Sequence, residues 1–143
     1  MTFPVTIYHN PQCGTSRNTL ALIRHAGIEP VVIDYLKTPP AKTELAKMIN
    51  DAGLTVREAI REKGTPYAEL GLDNPSVSDD RLLEAMLEHP ILINRPFVIT
   101  PLGTCLSRPS EAVLEIIPAK LFTSEFIKED GEPVLDATGR RIA

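Results

Sequence analysis

Hydrophobic and polar positions follow two rhythms along this chain. Near the N-terminus Val5-Thr6-Ile7-Tyr8 is a short strand-like run. From Ser16 to Ala26 the period lengthens to that of a helix: Leu20 and Ile23 share a face, Ala26 lies close by, and Gly27 is placed to stop it. Val31-Val32-Ile33-Asp34-Tyr35, bounded by Pro30 before and Thr38-Pro39-Pro40 after, reads as a second strand. Strand, helix and strand within about thirty residues make a βαβ unit, whose right-handed crossover sets the two strands parallel.

A helical middle follows. Leu45, Met48 and Ile49 share a face before Gly53, and Val56 and Ile60 suggest a short further helix. Ser78-Asp79-Asp80 is a strong helix start for Leu82, Leu83, Met86 and Leu87, and Pro90 ends that segment. Strand character returns at Pro96-Phe97-Val98-Ile99-Thr100-Pro101 and Thr104-Cys105-Leu106-Ser107, two runs flanking a turn at Leu102-Gly103. Ser110-Glu111 then opens a last helix carrying Val113, Leu114 and Ile117. From Pro118 the tail is polar, with turn signals at Asp130-Gly131 and Thr138-Gly139, and is expected to pack loosely. The pattern predicts an α/β fold: a thioredoxin-like mixed four-stranded sheet flanked by helices. A helical insertion, about 40–90, separates the βαβ unit from the β-hairpin. The whole, 1–143, is expected to be a single domain with a C-terminal tail at about 118–143.

Composition narrows the function classes. The chain has 143 residues, 43% hydrophobic and 24% charged, with a net charge of −4, so nothing at whole-chain scale invites nucleic acid or an anionic membrane. Any anion site must therefore be built locally from a few cations. There is no apolar run of the roughly 20 residues a membrane span needs, and no signal-peptide pattern. The two cysteines, far apart and without metal-ligand spacing, suit a reducing compartment. The expectation is a cytoplasmic protein without a bound metal.

Cys13 is the strongest chemical signal. It stands between the first strand and a helix start, where unpaired N–H groups converge and favour a thiolate, the reactive form of cysteine. Its surroundings, Tyr8-His9-Asn10-Pro11-Gln12 and Gly14-Thr15-Ser16-Arg17, are polar rather than core-like. Lowering a thiol pKa from ~8.5 to ~6.5 takes about 2.7 kcal/mol, and a helix N-terminus supplies roughly 0.3–1 kcal/mol when exposed and about 2 when partly buried. Other donors are then needed. The candidates are His9, the hydroxyls of Thr15 and Ser16, and the Asn10 amide. His9 is equally readable as a solvated loop histidine, and Ser16 as a plain helix-cap side chain. A phosphatase-type loop would place arginine where Thr19 stands, and a dithiol oxidoreductase would place cysteine where Ser16 stands. Cys13 thus has no local resolving partner. Cys105 is the other thiol, but strand alternation turns it away from any face that Arg108 shares with the site.

Arg95 precedes one hairpin strand and Arg108 follows the next, so pairing brings them together. The planar guanidinium fork suits tetrahedral oxyanions and stays charged at working pH. On spacing alone, Arg61 reads as a helix-surface partner of Glu58. Arg95-Pro96 is a candidate cis peptide.

These residues carry a resemblance. Tyr8-His9-Asn10-Pro11-Gln12-Cys13-Gly14-Thr15-Ser16-Arg17-Asn18-Thr19-Leu20 resembles the active-site segment of the glutathione- and glutaredoxin-coupled arsenate reductases. His89-Pro90-Ile91-Leu92-Ile93-Asn94-Arg95-Pro96 and Thr100-Pro101-Leu102-Gly103-Thr104, continuing to Arg108-Pro109-Ser110-Glu111, resemble that family's other signature stretches. The likeness extends over nearly the whole chain and implies a thioredoxin-like fold. It makes Cys13 the nucleophile, His9 and Ser16 its activators, and Arg61, Arg95 and Arg108 the oxyanion ligands, so that Arg61 changes from surface partner to substrate contact. Cys105 has no place in that pattern.

The resemblance implies reduction of arsenate to arsenite for arsenic detoxification. Cys13 forms a covalent adduct, glutathione attacks it, and glutaredoxin completes the electron supply by thiol exchange. Arsenate, glutathione and glutaredoxin are the expected partners, glutathione being a co-substrate and no cofactor staying bound. Two alternatives share parts of the pattern. Spx-type regulators, which bind RNA polymerase, usually carry a Cys-x-x-Cys pair that Ser16 breaks here. Monothiol glutaredoxins lack the two arginine-bearing hairpin motifs.

Overall fold

The computed structural model describes residues 3–142. Met1, Thr2 and Ala143, the ends of the expected span, lie outside the described residues. Strand β1 (Thr6–His9) leads through a turn into α1 (Gly14–His25), and β2 (Val31–Asp34) returns parallel to β1 in the register Thr6 with Val31 and His9 with Asp34. The helix stops where expected: Gly27 takes the left-handed backbone (φ 83°) that only glycine adopts without strain.

The middle is less helical than its periodicity suggests. Helix α2 (Lys42–Asp51) and helix α3 (Asp79–Glu88) form, the latter capped by Ser78, whose Oγ accepts from Arg81 N at 3.1 Å. Around Val56 and Ile60, however, there is one 3-10 turn, Arg57–Ala59. Ile60 then pairs instead with Ile93 in an isolated antiparallel bridge. Strands β3 (Phe97–Thr100) and β4 (Gly103–Leu106) make the expected hairpin. Strand β3 also runs antiparallel to β1, completing a mixed four-stranded sheet in the order β2-β1-β3-β4. This is the thioredoxin-like arrangement the pattern predicts. Arg95–Pro96 is cis, as is Arg108–Pro109.

Two expectations need correction. The last helix, Ser110–Ile116, is 3-10 rather than α, although Val113 and Ile116 still point into the core. The tail is not loosely packed: β5 (Phe126–Ile127) pairs with β6 (Pro133–Leu135), and Phe122, Phe126, Val134 and Leu135 are buried. Four apolar side chains, irregularly spaced in a polar segment, escape a periodicity search yet suffice to anchor it. One sheet face packs on α2 and α3 through a core centred on Tyr35, Leu45, Met86 and Phe97. The other packs on α1 and the Ser110–Ile116 segment through Ile7, Leu22, Ile23, Val98 and Val113. Among the described residues no helix is long and apolar enough to cross a membrane.

Candidate active site

Pairing geometry gathers the site at one end of the sheet. The β1–β3 register sets Tyr8 opposite Phe97, and the β3–β4 register sets Phe97 opposite Leu106. The C-terminal end of β1, the N-terminal end of β3 and the C-terminal end of β4 therefore meet, carrying Cys13, Arg95 and Arg108 beyond them. Ser107 N donates to Pro96 O at 2.8 Å, extending the hairpin pairing to the threshold of both arginines. Arg61 arrives from the insertion. Its N–H donates to Leu92 O at 2.7 Å, and Asn94 N donates to Ala59 O at 2.9 Å, stitching it beside the approach to Arg95.

The result is a cleft of about 430 Å³ lined by Cys13, Arg61, Arg95 and Arg108, with Asn10, Gln12, Leu36 and Ile91 at its margins. Arg108 Nη1 lies 3.7 Å from Cys13 Sγ and donates to Arg95 O at 3.0 Å. Arg95 is buried, and its Nη1 donates to Ile91 O at 3.0 Å and to Ile93 O at 3.3 Å. Arg61 Nε is buried with no hydrogen-bond partner among the described residues. A buried guanidinium N–H without a protein partner is a donor that a bound water or an anion would satisfy. Glu58 does not supply it: its carboxylate accepts from Thr55 N at 2.9 Å, while Glu58 N donates to Thr55 Oγ1 at 3.1 Å. That reciprocal cap takes the acid away and corrects the surface-partner reading of Arg61.

Cys13 is the N-cap of α1, its carbonyl accepting from Arg17 N at 3.0 Å. Burial of the thiol opposes ionisation. It is outweighed by the backbone N–H groups of Ser16 and Thr15 and by Arg108, so the pKa falls below the ordinary thiol value. The side chains singled out in the sequence act at one remove. His9 is buried and its Nδ1 lies 2.7 Å from Ser16 Oγ, which also accepts from Asn10 N at 3.1 Å. Burial lowers the His9 pKa and so favours neutral imidazole. Its Nδ1 contact is with Ser16 Oγ. The Asn10 amide likewise turns from the thiol: Nδ2 donates to Tyr35 Oη at 3.2 Å and Oδ1 accepts from Gln12 N at 2.9 Å. Asn10 O accepts from Cys13 N at 3.0 Å, so this side chain and its backbone shape the whole turn.

Tyr35, which the sequence does not single out, supports the turn before Cys13 through Asn10. Its phenol is buried beneath the turn, and only its position at the end of a β-branched run hints at a polar duty. Cys105 lies in β4 against the Val98 and Val113 core, outside the cleft, where burial pushes its thiol up to about 12. Among the described residues no group of three or more His, Cys, Asp or Glu could hold a metal ion.

Known proteins resemble this chain over most of its length. The model of the ArsC family matches residues 8–116. The chain is 71% identical over 138 residues to an arsenate reductase of Rhizobium meliloti, covering 96% of this chain and 98% of that one. It is 58% identical over 138 residues to an arsenate reductase of Escherichia coli, covering 96% and 97%. An arsenate reductase structure from Vibrio cholerae superposes with a TM-score of 0.78 at 47% identity, over 82% of this chain and 100% of that one. The matched span holds the thiol and all three arginines of the cleft, and by that match this chain belongs to the ArsC family.

Proposed function

We propose that the protein reduces arsenate to arsenite through a covalent adduct on Cys13, with glutathione and glutaredoxin as the source of electrons. The gathering of Arg61, Arg95 and Arg108 around one cleft with a thiol biased towards thiolate carries the reading. High identity to arsenate reductases supports the choice of oxyanion.

The guanidinium groups neutralise the bound oxyanion, which would otherwise repel an incoming thiolate. Cys13 Sγ attacks arsenic, forming an S–As bond while an arsenate oxygen leaves as water after taking up protons. A glutathione thiolate then attacks Sγ. The S–As bond breaks with its electron pair passing to arsenic, so As(V) becomes As(III) and arsenite departs. The two sulfurs, each oxidised by one electron, remain as a Cys13–glutathione disulfide, which a glutaredoxin thiol reduces to restore Cys13. Ser16 and His9 serve by fixing the helix start. Asn10, bonded to Tyr35, keeps the preceding turn in shape.

Arsenate-dependent NADPH oxidation, with glutathione, glutaredoxin and glutathione reductase present, tests the reading. Activity is expected in the native protein and none in Cys13→Ser. A native protein with alkylatable Cys13 and no arsenate-dependent oxidation would refute it.

A further inference from the structure

The residues beyond 116, where the family match stops, turn back on the nucleophile's helix. From Phe122 to Glu129 they pass along α1 from its C-terminal end to its N-terminal end. At the far end His25 stacks on Phe122 and meets Phe126 edge-on, with ring centroids 6.3 and 5.4 Å apart, and its Nε2 lies 3.1 Å from Ser124 O. At the near end the Glu129 carboxylate accepts from Arg17 Nε at 2.9 Å and Nη2 at 3.1 Å, and Glu129 N donates to Asn18 Oδ1 at 3.1 Å. Arg17 Nη1 reaches Pro11 O at 2.8 Å, inside the turn that carries Cys13. The neighbouring Lys128 donates to Glu111 at 3.0 Å, in the segment that follows Arg108. Those two side chains are only 10% and 15% exposed. Gly139, in the turn after β6, lies so close to the Phe122 carbonyl that a Cβ would collide with it.

We propose that residues 122–129 are a strap that holds α1 against the Arg108 segment, with Lys128 and Glu129 as positioning residues for the Cys13–Arg108 pair. Cys13 and Arg108 belong to different elements, and their 3.7 Å contact has little margin. Beyond the apolar packing of α1 on the 110–116 segment, one side-chain hydrogen bond among the described residues joins them near the thiol, Ser110 Oγ donating to Thr15 O at 3.1 Å. The strap adds a second, because consecutive residues grip one element each: Lys128 holds Glu111, and Glu129 holds Arg17 and Asn18. The Lys128–Glu111 pair is the stronger arm. It is nearly buried, although Lys128 also lies 3.7 Å from the exposed Glu132 carboxylate. The Arg17–Glu129 pair is 43% and 51% exposed and is screened by water.

The inference rests on Cys13 being the nucleophile, but its test reads the thiol without arsenate, so it stands or falls apart from the proposed reaction. The measurement is the pH dependence of Cys13 labelling by iodoacetamide, resolved by peptide mass spectrometry. The variants are Lys128→Met, Lys128→Arg and the double change Lys128→Met with Glu111→Gln. The double change leaves net charge unaltered, so a through-space loss of one cation cannot imitate loss of the strap. Its labelling midpoint is expected to rise by about half a pH unit, roughly a threefold loss of rate below the midpoint, while Lys128→Arg stays at the native value. A superimposable titration in the folded double variant overturns the proposal, and so does a shift in Lys128→Met that vanishes in the double. If the double variant fails to fold, the exposed arm decides through Glu129→Gln, where loss of an anion would by itself lower the midpoint. A raised midpoint there supports the strap and an unchanged or lowered one overturns it.

Discussion

Cys13 and Cys105 are both partly buried, and for both thiols burial favours the neutral form. Around Cys13 that pressure meets the N–H groups of Ser16 and Thr15 and the Arg108 guanidinium, and the pKa ends below the ordinary thiol value. Around Cys105 nothing opposes it, and the nearby Glu115 charge adds to it. Burial acts in the same direction on both thiols and so does not account for their opposite shifts. Donors placed where negative charge develops do so, and here they come from a helix start and a neighbouring hairpin end.

The contrast breaks first at the thiols themselves. Cys13→Ser is expected to lose arsenate-dependent turnover to the assay background, and Cys105→Ser to keep it within about twofold. Loss of turnover in Cys105→Ser would make the second thiol a participant and end the comparison. The arginines come next. Arg108→Ala should raise the pH at which Cys13 is alkylated. Arg95→Lys keeps charge but loses the fork, and the apparent KM for arsenate should rise roughly tenfold or more. An unchanged KM in Arg95→Lys would leave that side chain with its carbonyl contacts alone.

A finer test concerns the activators. Because Ser16 is bonded to both His9 and the turn, His9→Ala and Ser16→Ala are each expected to move the Cys13 labelling midpoint upward. The double variant should move it no further than the larger single effect, the signature of groups acting in series. Additive shifts would restore to His9 an independent role. The smallest effect is one of stability. A thiol raised to about 12 in the fold, but ordinary in the unfolded chain, stabilises the fold fully below the ordinary value. That contribution is lost as pH climbs through the interval between the two. Denaturant unfolding of Cys105→Ala should therefore weaken less steeply between pH 8.5 and 10 than that of the native protein. Parallel curves would show that Cys105 ionises freely in place.

Much of the site is legible in the order of residues alone. A thiol between a strand and a helix start specifies its own chemistry, because the unpaired N–H groups of that start are fixed by local geometry. The hairpin brackets at Arg95 and Arg108 are equally plain, since pairing of adjacent strands follows from turn and alternation. Arg61 is not. By local spacing it belongs to Glu58, and only Thr55 removes that acid while the bridge between Ile60 and Ile93 carries Arg61 to the cleft. Tyr35 and Asn10 escape detection as a pair for a similar reason: their bond joins positions 25 residues apart.

The sequence by itself therefore determined what is local and repetitive: the βαβ unit, the hairpin, the helix capped by Ser78 and the placing of Cys13 at a helix start. Tertiary structure decided what depends on burial and on distant partners. It made the 110–116 segment 3-10, held His9 against Ser16, and drew a polar-looking tail onto α1. Periodicity records which residues could share a face. Burial, and the charges it leaves without water, then fixes which of them meet.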